Sequence, residues 1–254
     1  MPEPAKTVAL VTGASSGLGA EFCRQLATRC DVIIAVARRQ ARLQALADEL
    51  AGQAELQPIV ADLNSVEGVT RVVEALRQKG PADILVNNAG FSTFGQFAHL
   101  GIDSQRDMLS LHADATITLC RAAVPFMRER GAGQIINVSS LGAFMPGKGL
   151  AVYGATKAFL NYFSQALQLE LAGTGIEVQA LCPGYIRTDF HQGMDELGFD
   201  RSRIPAEMWL DPPAVVAASL AALGSGQVLV VPGSGNLELA RGGTRSQLEL
   251  LGAR

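Results

Sequence analysis

TVALVTGASSGLGAEFCRQLA, residues 7–27, is a strand, a tight turn and a helix in sequence form. The opening Val, Leu and Thr residues read as a short buried strand, residues 12–19 as a glycine-punctuated turn, and the apolar-periodic run from Leu18 as a helix. Gly13 can take a backbone angle closed to other residues, and Gly17 and Gly19 leave room for close approach. The free amides at the helix start point toward any anion placed there, and a pyrophosphate is the obvious one. The spacing is G-x-x-x-G-x-G rather than the commoner dinucleotide pattern G-x-G-x-x-G, and glycines before a helix also serve as plain punctuation. The rest of the chain has to choose between these.

With 254 residues, 48% hydrophobic and 18% charged, the chain can bury a large core, and no Pro-rich or Gly/Ser-rich linker divides it. One α/β domain over 1–254 is expected. A formal net charge of −3 offers no basic face for nucleic acid, and no run of like charges suggests a membrane surface. Cys23, Cys30, Cys120 and Cys182 lack the paired spacing of metal sites and read as buried free thiols. No metal is expected. The N-terminus, MPEPAKTVALVTG, lacks a charged region before a long apolar stretch, and no apolar run reaches the ~18 residues of a membrane span. These features point to a cytoplasmic protein with a small-molecule partner.

Residues 31–37 (DVIIAVA) form a second buried strand, whose C-terminal end a dinucleotide fold places beside the adenosine ribose. An acidic residue there would bind the 2′-hydroxyl of NAD. This chain has Ala37 followed by Arg38 and Arg39, which favours the 2′-phosphate of NADP, unless the two arginines are merely solvated. Residues 40–51 read as a helix with apolar groups at 43, 46, 47 and 50, and residues 55–60 as a third strand. Asp62, after that strand, either receives the adenine amino group or caps the helix beginning near Ser65. Residues 84–86 form a fourth strand running into Asn87-Asn88-Ala89-Gly90, where amide side chains can tie strands together while small residues leave space for a ligand. The loop beyond carries Phe91, Phe94 and Phe97, able to line an apolar pocket or to fill core. A long, broken helical region spans 103–129 with His112 and Pro125. A fifth strand (134–138) delivers Ser139-Ser140, and the helix 152–172 places Tyr153 and Lys157 on one face.

A phenol with a pKa of about 10 is a poor acid or base at neutral pH unless its phenolate is stabilised. An ammonium at Lys157 can lower the Tyr153 pKa, making it a general acid for carbonyl reduction and a general base for alcohol oxidation. Ser140 can donate a hydrogen bond to the substrate oxygen.

TGASSGLG (12–19), NNAG (87–90), NVSS (137–140), YGATK (153–157) and PGYIRT (183–188) occur in that order, and with them the chain resembles the short-chain dehydrogenase/reductase superfamily from residue 6 to 233. The resemblance implies a doubly wound Rossmann-type domain with a mostly parallel seven-stranded sheet. It also implies an oxidoreductase moving a hydride between NADP(H) and an apolar ketone or secondary alcohol. Ser140 would orient the carbonyl, Tyr153 would transfer the proton, and Lys157 would also hold the nicotinamide ribose. Gly13, Ser15, Ser16, Gly17, Leu18, Gly19, Arg38, Arg39, Asp62, Leu63, Asn88, Ala89, Gly90, Pro183 and Gly184 would surround the cofactor, with Ile186 and Thr188 at its carboxamide. A homodimer or homotetramer packed through the helices bearing His112 and Tyr153 is expected on the same grounds.

One position departs from the family pattern: counting back from Pro125, the residue expected as an Asn holding a relay water is His112. The expectation is that imidazole sustains the relay and makes activity depend on pH between about 5 and 8; the alternative is a tolerated substitution in a slower enzyme. Residues 185–213, with Phe190, Met194, Leu197, Phe199, Met208 and Trp209, suit a flap over the site. With Phe94, Phe144 and Met145 they imply an apolar substrate, although Arg187 and Arg201 leave room for an acidic one. A last strand is expected at 227–231 and a short helix in the tail. Two rival readings stand: an NAD-dependent alcohol dehydrogenase, and a nucleotide-sensing protein with weak catalysis.

Overall fold

The computed structural model describes residues 6–78, 82–191 and 198–252. Its strands are β1 (Val8–Thr12), β2 (Val32–Ala37), β3 (Glu55–Val60), β4 (Ile84–Asn87), β5 (Gly133–Val138), β6 (Ile176–Leu181), β7 (Tyr185–Ile186), β8 (Trp209–Leu210) and β9 (Leu229–Val230). Seven of them make one parallel sheet in the order β3-β2-β1-β4-β5-β6-β9, while β7 and β8 form a small parallel pair outside it. The order reverses between β1 and β4, and a crevice opens there at the carboxyl ends of the strands.

Strands β1 and β2 are buried on both faces, which explains their unbroken runs of Val, Ile, Leu and Ala. The edge strand β3 is largely exposed, and there Pro58 can lack an amide hydrogen without breaking the sheet interior. Alternation along β1 feeds two cores: Ala9 and Val11 face α1 (Gly17–Leu26), α2 (Gln40–Glu49) and, through Val215, Val216 and Leu220, a C-terminal helix described below. Val8 and Leu10 face the other way, toward α3 (Val66–Gln78). Leu43 and Leu46 of α2 are buried as the periodicity predicts, though this helix ends at Glu49, two residues short of expectation.

The region expected as one broken helix is α4 (Ile102–Leu109), a single π-helical turn at Ser110–Asp114, and α5 (Ala115–Arg130). Pro125 lies inside α5, so the break falls at His112 and not at the proline. An inserted residue of the π type turns a side chain inward that regular winding would place elsewhere. Helix α6 (Ala151–Glu170) follows β5, α7 (Pro212–Ala222) follows β8, and α8 (Ser234–Leu250) closes the chain. The last strand is shorter and the tail helix longer than expected. All four cysteines are buried free thiols, and among the described residues no helix is long and apolar enough to cross a membrane.

Candidate active site

At the end of β1 the chain turns through Gly13 (φ 66°) and Gly17 (φ 54°), both in the left-handed region. A Cβ on Gly19 would stand 2.2 Å from the Gly13 carbonyl oxygen, so this glycine serves the closeness of the turn itself. Leu18 is buried beside it. Ser16 opens α1 with no side-chain cap, which leaves the first-turn amides for a ligand. The NNAG turn is tied to this cradle: Asn88 Nδ2 donates to the Thr12 carbonyl at 2.9 Å, while the amides of Asn88 and Ala89 donate to Thr12 Oγ1 at 2.9 and 3.0 Å. Asn87 donates to Asn137 Oδ1 at 2.8 Å, and Asn137 to Ser164 Oγ at 2.9 Å, joining β4, β5 and α6. The bare amides, the glycine turn and the adjoining arginine fit a dinucleotide's phosphates.

That arginine is Arg39. Its guanidinium donates to Ser15 Oγ (3.0 and 2.7 Å) and Ser16 Oγ (2.7 Å), and it forms no ion pair among the described residues. Arg38 is exposed beside it. Asp62 does not cap α3. Its carboxylate accepts from the Asn64 amide (3.1 Å), and the cap is Ser65, whose hydroxyl accepts from Gly68 N–H at 3.0 Å. Leu63 points into the core. Across the cleft, Thr188 packs so close to Gly17 that a Cβ there would meet its methyl at 3.3 Å. Ile186 is buried next to it, the Pro183 carbonyl accepts from Leu141 N–H at 2.8 Å, and Gly184 lies against the Asn236 amide.

The β5 end, the turn after it and the first turn of α6 bring Ser140, Tyr153 and Lys157 together. Ser140 Oγ accepts from Gly142 N–H at 3.0 Å and faces the Tyr153 phenol, whose ionised form it favours. Lys157 Nζ lies 5.7 Å from the centre of the Tyr153 ring and donates to the Val138 carbonyl at 2.9 Å. The pKa values run opposite to the sequence expectation. Desolvation pushes the phenol up to about 12, with Ser140 opposing, and pushes Lys157 down to about 7. Both charged forms lose water, and among the described residues no carboxylate holds the ammonium.

His112 is 1% exposed and does not titrate as expected. Burial first, and the Lys157 charge second, hold its pKa well below the usual imidazole range. Thr156 Oγ1 donates to the Tyr153 carbonyl at 2.8 Å and therefore accepts from His112 Nδ1 at 2.8 Å; His112 Nε2 accepts from Phe91 N–H at 3.3 Å. These bonds assign a neutral ring protonated at Nδ1. Against the expectation of a group titrating between pH 5 and 8, both ring nitrogens are satisfied in a site that penalises the cation. Gly90 permits it, since a Cβ there would lie 2.6 Å from Nε2. Thr156, which sequence reasoning passed over, sits inside the YGATK motif and was findable from that position.

Of the three phenylalanines, Phe94 meets Phe199 edge-on at 5.6 Å, Phe91 lies 6.3 Å from the His112 ring, and Phe97 is 62% exposed at the surface. Phe199 in turn stacks on Tyr185, which packs on Trp209, and Phe190 stands 6.2 Å from Tyr153. Met194 and Leu197 lie outside the described residues. Arg187 is committed to its own segment: it donates to the carbonyls of Trp209 (2.7 Å) and Ala206 (3.2 Å) and approaches Asp211 at 3.3 Å. Helix α8 covers the Phe144–Met145 segment, with Gln247 donating to the Phe144 carbonyl at 2.9 Å.

The short chain dehydrogenase family profile matches residues 7–196. An uncharacterised oxidoreductase of Staphylococcus epidermidis is 33% identical over 196 residues, 77% of this chain and 84% of that one. Among solved structures, a short-chain dehydrogenase from Sphingobium yanoikuyae in complex with NADPH is 32% identical, with 96% of this chain and 94% of that one covered and a TM-score of 0.84. The bulky-bulky ketone specific alcohol dehydrogenase from Comamonas testosteroni is 31% identical, with 94% of each chain covered and a TM-score of 0.79.

Proposed function

Because the chain belongs to the short-chain dehydrogenase family and is thereby an NAD(P)-binding oxidoreductase of alcohol and ketone groups, we propose that it prefers NADP(H) and acts on an apolar ketone or secondary alcohol. The observation that carries the cofactor reading is Arg39, spread over the Ser15 and Ser16 hydroxyls at the mouth of the glycine turn and in no ion pair among the described residues. The aromatic surface of Phe94, Phe190, Phe199 and Tyr185 supports the apolar substrate, and the Comamonas neighbour is specific for bulky ketones.

Bound nicotinamide supplies or accepts the hydride. Ser140 donates a hydrogen bond to the substrate oxygen, and Tyr153 hands its phenol proton to that oxygen in reduction or takes it back in oxidation. A phenol held up to about 12 is protonated at neutral pH, the form that reduction needs. Lys157 holds the ribose and faces the Tyr153 ring. His112 acts as a positioning residue, clamping the Phe91 backbone to Thr156 and so to the turn that carries Tyr153. The whole chain works as one catalytic domain with 185–213 as its flap, assembled as a homodimer or homotetramer.

Fluorescence titration with NADPH and NADH, followed by turnover of a panel of apolar ketones, tests the reading. Tighter NADPH binding with turnover supports it; equal or tighter NADH binding, or binding without turnover of any ketone, overturns it. Tyr153→Phe is expected to bind NADPH as the parent does while kcat falls by about 10²–10⁴.

A further inference from the structure

The arginine-rich start of α2 faces an acidic residue from the other side of the cleft. Arg42, nearly one helical turn beyond Arg39, holds its Nη1 3.6 Å from Asp189 Oδ2, both side chains being about half exposed (50% and 58%). Asp189 follows Thr188, the residue that packs against Gly17, so the flap carries this carboxylate toward the mouth of the glycine turn. Arg39 feels the same groups. Burial lowers its pKa most, Arg42 and Arg38 lower it further, and among the described residues Asp189 raises it. Among the described residues, Asp189 thus partly offsets the charge of the neighbouring guanidinium groups.

We propose that Asp189 is a cofactor-discriminating residue: its carboxylate acts as an internal anion in the Arg38–Arg39–Arg42 cluster and competes with the 2′-phosphate of NADPH. This rests on the reading that the arginine cluster receives that phosphate. An arriving dianion meets a cluster already partly neutralised, and must displace Asp189 from Arg42 or accept its repulsion. NADH carries no 2′-phosphate and meets neither cost. Asp189 therefore holds the preference for NADPH below what the arginines alone would give.

The test is Asp189→Asn, an exposed and nearly isosteric change, with Kd measured for NADPH and NADH by fluorescence titration of parent and variant at about 0.05 M and about 0.5 M salt. The expected result at low salt is NADPH binding about two- to fivefold tighter with NADH unchanged, the gain shrinking at high salt. An unchanged or weaker Kd for NADPH overturns the proposal. So does an equal shift for both cofactors, which would place Asp189 over the part of the dinucleotide they share. The parent's own ratio tests the underlying reading separately. A parent with no NADPH preference sinks that reading, while the change in ratio on substitution still decides the role of Asp189.

Discussion

Tyr153 and Lys157 share a site where desolvation outweighs their mutual charge effects. The folded protein holds Lys157 at about 7, whereas an unfolded chain keeps its proton up to about 10.4. Between those values the unfolded state binds more protons, so this lysine makes stability rise with pH. Urea unfolding of the ligand-free parent and Lys157→Met should show the parent gaining on the variant from pH 7 to about 10; a pH-independent difference would mean that the buried lysine keeps its ordinary affinity for protons. His112 gives the opposite expectation. Burial and the Lys157 charge hold its pKa well below the usual imidazole range, so the pH–rate profile of His112→Asn should match the parent's in shape between about pH 5 and 8, whatever its height. An ionisation in that range present only in the parent would overturn the neutral assignment. The YGATK motif revealed which residues meet, but not their protonation, which depends on burial by segments far away in sequence.

At the scale of elements, α3 illustrates what a motif leaves open. Asp62 and Ser65 both precede the helix and both are good capping types, and the sequence does not choose between them. The fold chooses Ser65, because its hydroxyl reaches the Gly68 amide while Asp62 turns to Asn64. Ser65→Ala should cost about 1 kcal/mol, read as a lower denaturation midpoint, and Asp62→Ala should cost less; the reverse ranking would restore Asp62 as the cap. The strands and most helices were legible because apolar periods of 2 and 3.6 survive in the chain. The π turn at Ser110–Asp114 was not, since no local signal separates an inserted residue from regular winding. Nor were the ring partners of Phe199: aromatic side chains in that stretch have no period, and Phe199 meets Phe94 from a loop more than a hundred positions earlier.

For the whole molecule, the reversal of strand order between β1 and β4 is what brings the glycine turn, the NNAG turn and the β5 end to one crevice. The outer surface has its own pattern: Ile117 of α5 and Tyr162 and Leu169 of α6 expose 42%, 77% and 79% of their area. Isolated apolar residues are ordinary on a surface, but large ones on two helices suit the proposed contact between copies. Light scattering of the parent should give the mass of a dimer or tetramer, and Tyr162→Glu with Leu169→Glu should lower it to that of the 26.7 kDa chain. A monomeric parent, or an assembly indifferent to both substitutions, would place the contact elsewhere or remove it.

The amino-acid order by itself determined the alternation of strands and helices, the glycine turn and the placing of Tyr153 and Lys157 on one helix face. These are local matters, set by backbone preference, side-chain period and spacing along one helix face. Only the tertiary structure decided that Ser65 caps α3, that His112 bonds through both ring nitrogens, that Arg187 ties to the carbonyls of Trp209 and Ala206 and that Asp189 stands against Arg42. Hydrogen-bond partners, burial and the pKa values that follow from them depend on segments distant in the chain, and a linear pattern carries no record of which of them will meet.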